Sequence, residues 1–147
     1  MKKAVSNSPK SPASFNVAIV CAQFNPQVTD VMFNAAKVYC MNSRMNVVGS
    51  VRVPGSFEVP LAVKRFLKKR NVDGVIALGA IIKGSTDHDQ TIGFAITHEL
   101  LRLALEFEKP VGLGVSGPGQ NEEQARERAD DYARRAVEAV RAQLDNA

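Results

Sequence analysis

The chain has 147 residues, of which 45% are apolar and 23% charged, and a formal net charge of +4. That length and balance suit one globular domain with a core of its own, and exclude a disordered or fibrous chain. No apolar run reaches the ~18 residues of a membrane span and no signal-peptide pattern follows Met1, so a cytoplasmic protein without a membrane partner is expected.

Residues 1–14, "MKKAVSNSPKSPAS", are polar and rich in proline and serine, and read as a flexible arm ahead of one domain over 15–147. "FNVAIVCA" (Phe15–Ala22) is a short, nearly continuous apolar run, the mark of a strand buried on both faces. Val28, Val31, Met32, Ala35 and Tyr39 then recur at helical spacing. "NVVGSVRV" (Asn46–Val53) is a second strand, broken by "PGSFEVP", and a helix follows through Val59, Ala62, Val63, Phe66 and Leu67. The basic run "KRFLKKR" (Lys64–Arg70) closes this helix and reads as a solvated face rather than a nucleic-acid site. "VDGVIALGAII" (Val72–Ile82) is the most apolar strand. Ile92, Ile96, Leu100, Leu103 and Phe107 mark the next helix. Pro110 opens a fourth strand, "VGLGVS", and "GPGQ" reads as the turn that ends it. The last helix runs from about Asn121 to Leu144, with Ala125, Ala129, Tyr132, Ala136, Val137 and Val140 on one face. Cys21 and Cys40 have no metal-ligand spacing and read as buried apolar side chains in a reducing compartment; no metal site is expected.

Four strand–helix units in succession predict an α/β three-layer sandwich: a four-stranded parallel sheet with helices on both faces. Ligands of such sheets sit at the carboxyl ends of the strands. That rim collects "QFNP", "PGSFE", "KGSTDHD" and "SGPGQN". The third loop suits an anion, because Gly84 lets the backbone approach closely and Ser85 and Thr86 open a helix. A nucleotide-binding P-loop would carry lysine after its last glycine, where Ser85 stands here. A plain helix cap would explain Ser85 or Thr86 alone, but not the adjoining glycines and His88. Histidine is the side chain type suited to proton transfer at neutral pH, which makes His88 a candidate for that work. Glu58 could accept hydrogen bonds from a polyol or simply begin a helix, and Phe24 could stack on a flat ring or simply pack. His98, in mid-helix, reads as structural.

Taken together, "VCAQFN", "VPGSFEVPLAVKR", "ALGAIIKGSTDH" and "EEQARERA" resemble the 6,7-dimethyl-8-ribityllumazine synthases of riboflavin biosynthesis, over nearly the whole folded chain. The "GLGVSGPGQ" end looks most like archaeal members. The resemblance implies a flavodoxin-like fold and a transferase that needs no metal or organic cofactor. Its reaction would join 5-amino-6-(D-ribitylamino)uracil and 3,4-dihydroxy-2-butanone 4-phosphate, with loss of phosphate and water. It further implies that Phe24 stacks on the pyrimidine, that Ser56, Phe57 and Glu58 bind the ribityl chain and ring edge, and that Ala80, Ile81 and Ile82 line the ring pocket. Ser85 and Thr86 would hold the phosphate, and His88 would shuttle protons. Sites of this kind lie between subunits of a pentamer, free, paired as a decamer or built into an icosahedral shell of sixty chains, so Leu113 and Arg128 would come from a neighbour. Riboflavin synthase is the implied protein partner. Asp89 stands where many members carry an aromatic, Leu113 is aliphatic where an aromatic is usual, and Arg134 or Arg135 would stand in for a lysine common near the phosphate. Two other readings stay open at this point: an archaeal-type riboflavin synthase of the same fold, and a non-catalytic flavin-binding or shell-forming protein.

Overall fold

A computed structural model describes residues 15–84 and 88–147; the expected arm and Ser85, Thr86 and Asp87 lie outside the described residues. In chain order the elements are β1 (Phe15–Ala22), α1 (Pro26–Asn42), β2 (Met45–Val53), a 3-10 turn (Ser56–Glu58), α2 (Val59–Leu67), β3 (Gly74–Ile82), α3 (His88–Phe107), β4 (Val111–Gln120) and α4 (Glu122–Asp145). The sheet order is β2-β1-β3-β4, and every neighbouring pair is parallel. β1 and β3 are therefore central, which is why they are the two most continuous apolar runs. Alternate β1 residues serve opposite faces. Val17, Ile19 and Cys21 pack with α1 and α4, while Ala18, Val20 and Ala22 pack with α2 and α3. The expected sandwich with helices on both faces is the observed one.

Three details differ from the sequence reading. β4 does not end before "GPGQ"; it stays paired with β3 as far as Gln120, opposite Ile82, across an irregularity between Ala80 and Ile82. Gly117 and Gly119 make this possible with φ of 94° and 82°, which side chains resist. A Cβ on Gly117 would stand 2.2 Å from the Ile81 carbonyl oxygen. The buried face of α1 is also turned from the expected one. Thr29, Ala36 and Cys40 join Val28 and Met32 inside, whereas Val31 stays 47% exposed. In α4, Ala133 joins the buried face, with Tyr132 partly buried against the same core. Both cysteines are buried and free, as expected. Burial raises the Cys21 thiol pKa to about 11, with Arg52 partly opposing it, and the Cys40 thiol to about 12. Most of the basic run is exposed, in keeping with a solvated face. No helix among the described residues is long and apolar enough to cross a membrane.

Candidate active site

The chain leaves β1 towards β2 on one side of the sheet and reaches β3 on the other. The carboxyl ends of β1 and β3 therefore flank a crevice where the winding reverses. A cleft of about 330 Å³ lies there. Phe24 and Asn25 enter it from the β1 loop, Gly55, Ser56 and Phe57 from the turn after β2, and Ala80, Ile81 and Ile82 from the end of β3. Gly84, His88, Asp89 and Ile92 complete the wall.

Local sequence explains why these loops meet. Asn25 adopts left-handed backbone (φ 61°), a conformation asparagine tolerates better than most residues, and Pro26 starts α1 directly after it. The Asn25 side-chain amide donates to the Ala80 carbonyl at 3.0 Å, tying the β1 loop to β3. Further support comes from the Phe24 N–H, which donates to the Pro54 carbonyl at 3.0 Å. Ser56 presses on β3 at Gly79, where a Cβ would stand 2.7 Å from its hydroxyl oxygen. Glu58 does not line the cleft. One of its carboxylate oxygens accepts from the Gly55 N–H at 2.9 Å and closes the turn that presents Ser56 and Phe57. The two aromatics of the rim are largely bare, Phe24 69% and Phe57 71% exposed. Apolar rings left in water at the mouth of a cleft are unusual unless something covers them.

The fourth rim loop contributes no lining residue among those described, but it braces the third. The Lys83 N–H donates to the Gln120 carbonyl at 2.8 Å, and the Gly119 N–H donates to Asp89 at 3.0 Å. Beneath them the buried Gln120 amide donates to the Ser116 hydroxyl at 2.8 Å and reaches the Ile81 carbonyl at 3.4 Å. His88, in the first turn of α3, is exposed on the cleft wall.

Of the sequence-predicted residues, Phe24, Ser56, Phe57, Ala80, Ile81, Ile82 and His88 come together in this cleft. Ser85 and Thr86 fall outside the described residues. Leu113 and Arg128 stand elsewhere. Leu113 lies on the edge strand β4, 46% exposed, between α3 and α4; Arg128 is exposed on α4, in the helical layer opposite α3. His98 is exposed on α3. The sequence reading missed Asn25, whose signal was its place before Pro26, and Asp89 as a cleft residue. Among the described residues no group of three or more histidine, cysteine or acidic side chains could hold a metal ion.

The family model described as 6,7-dimethyl-8-ribityllumazine synthase matches residues 14–147. Relatives of that name include a protein of Staphylothermus marinus, 44% identical over 84% of this chain and 83% of its own length. The Methanobrevibacter smithii protein is 43% identical over 87% of this chain and 92% of its own, and the Methanococcus vannielii protein 45% identical over 85% and 89%. A match over this much of the fold, from the first strand to the end of α4, shows that the chain belongs to the 6,7-dimethyl-8-ribityllumazine synthase family, transferases of riboflavin biosynthesis.

Proposed function

We propose that the cleft condenses 5-amino-6-(D-ribitylamino)uracil with 3,4-dihydroxy-2-butanone 4-phosphate, releasing phosphate and water and giving 6,7-dimethyl-8-ribityllumazine, the penultimate step of riboflavin biosynthesis. The observation that carries this reading is the meeting of two bare aromatics, an apolar floor and one histidine in a single cleft. Phe24 stacks on the pyrimidine, and Ala80, Ile81 and Ile82 form the floor under it. Ser56 and Phe57 hold the ribityl chain and ring edge. Glu58, outside the cleft, gives one carboxylate oxygen to Gly55 and so holds the turn that presents Ser56 and Phe57 to the polyol. The pyrimidine amine attacks the ketone and loses water as the imine forms, so the protein needs no lysine nucleophile. Its own work is orientation and proton transfer, the second assigned to His88.

The phosphate side falls to Ser85 and Thr86, just ahead of His88 in the sequence, and to Arg128 of a neighbouring chain. Leu113 of that neighbour closes the ring pocket. A shared site of this kind makes a pentamer, alone or stacked into larger shells, the active species. A riboflavin synthase would consume the product. The test is direct: mix the two substrates with the protein and follow lumazine absorbance. Condensation above the unaided rate is expected, and no acceleration would refute the assignment. Consumption of lumazine alone, with riboflavin appearing, would instead favour the riboflavin synthase reading.

A further inference from the structure

Asp89 is 6% exposed, yet it lines the cleft immediately after His88. One carboxylate oxygen accepts from the Gly119 N–H at 3.0 Å, and the other has no hydrogen-bond partner among the described residues. Burying a carboxylate is costly unless it is paired or hydrogen-bonded, and here the Gly119 N–H supplies a hydrogen bond. What it holds is the junction of α3 with the end of β4. One turn further along α3, Gly93 meets the Pro118 ring so closely that a Cβ there would stand 2.7 Å from Pro118 Cδ. Gln120, next to Gly119, takes the Lys83 N–H at the other end of the same loop. Residues 117–120 thus form a fixed frame that grips the end of β3 and the start of α3 together.

We propose that Asp89 is a positioning residue for His88, fixing the first turn of α3 against Gly119 so that the imidazole stands at the reacting atoms. The inference rests on the condensation reaction proposed above. Asp89 acts through His88 and not by touching substrate, so its effect must vanish when the imidazole is absent.

The experiment is a double-mutant cycle on the assembled enzyme, with hydrogen exchange at Gly119 read by mass spectrometry. Asp89→Ala is expected to lower kcat about tenfold, the size of effect a misplaced general acid–base group gives, while KM for the pyrimidine stays within about twofold. The Gly119 amide should exchange faster in this variant. Asp89→Asn keeps an oxygen acceptor for that amide and should recover most of the lost kcat, and it serves as the working variant if Asp89→Ala does not assemble. On a His88→Ala background, neither substitution should lower kcat further. A full additional loss on that background, or a large rise in the pyrimidine KM, would overturn the proposal by showing that Asp89 meets substrate itself. An Asp89→Asn enzyme as slow as Asp89→Ala, with Gly119 still protected, would overturn it too, because the charge and not the grip would then matter. Absence of condensation by the unaltered enzyme would refute the functional reading instead, so the two failures are distinct.

Discussion

Phe24→Ala separates a side chain kept for the fold from one kept for a ligand. With 69% of its surface exposed, Phe24 has only about a third of its area buried within the chain. Full burial of such a side chain stabilises by roughly 1.5–3 kcal/mol, so truncation here should cost the fold less than about 1 kcal/mol. Stacking on a heterocyclic base is worth roughly 1–3 kcal/mol by alanine substitution, which corresponds to about 5- to 150-fold in affinity. The variant should therefore melt within a few degrees of the parent and bind the pyrimidine at least several-fold more weakly. Calorimetric unfolding gives the first quantity. Titration with the pyrimidine in the absence of the phosphate substrate gives the second, free of any change in chemistry. A variant that loses stability and keeps its pyrimidine affinity would refute the stacking role and leave Phe24 as a packing residue.

The remaining predictions concern the chemistry, the phosphate and the thiols. His88→Ala should slow turnover by about ten- to hundredfold, with little change in pyrimidine affinity; full activity in steady-state assays would remove the histidine from the mechanism. Arg128→Ala should raise KM for the butanone phosphate far more than Thr86→Ala, since a charge-assisted pair outweighs one neutral hydrogen bond. Co-expressed Arg128→Ala and His88→Ala chains should regain activity above the mean of the two parents, and no gain would contradict a site built from two chains. Burial holds the Cys21 and Cys40 thiols protonated to about 11 and about 12, against an ordinary 9.0, so alkylation of the folded protein near pH 8 should be negligible. Because the unfolded chain loses these protons first, their contribution is intact below pH 9 and declines as pH rises through the folded values, which a urea-denaturation series over alkaline pH would read.

The fold was legible because its central strands announce themselves. Phe15–Ala22 and the run ending at Ile82 are too short for buried helices and too apolar for edge strands, and each is followed by an apolar repeat of helical period. The cleft was legible for a related reason: the rim of a parallel sheet can be named once the strand ends are known. "GPGQ" was misread because glycine and proline are normally punctuation. Here Gly117 and Gly119 serve a strand that stays paired while it kinks past Ile81. The place of Asp89 was hidden because its hydrogen bond runs to Gly119, thirty residues away, a contact that no local pattern encodes. The rotation of α1 was hidden by composition, since Val31 is as apolar as the Ala36 and Cys40 that occupy the buried face in its stead.

Charge supports the proposal of a site shared between two chains. Among the described residues lining the cleft, only His88 and Asp89 are ionisable, and neither is a permanent cation. A phosphate monoester brings a charge of roughly −1.5 to −2 near neutral pH. The start of α3 supplies the equivalent of about half a positive charge, and backbone donors there add hydrogen bonds but no further net charge. Asp89, in the first turn of the same helix, works against even that. Lys83 is exposed at the rim and absent from the cleft wall, and its backbone N–H is committed to Gln120. The described wall therefore supplies no permanent cation for the phosphate. Arg128 answers the need: its guanidinium can grip phosphate oxygens in pairs, it is exposed, and no ion pair among the described residues involves it. It is not among the residues that line the cleft of its own chain. In the proposed shared site, a neighbouring chain presents Arg128 and Leu113 to a cleft that has the aromatic rings, the apolar floor and His88 but no permanent cation among its described lining residues.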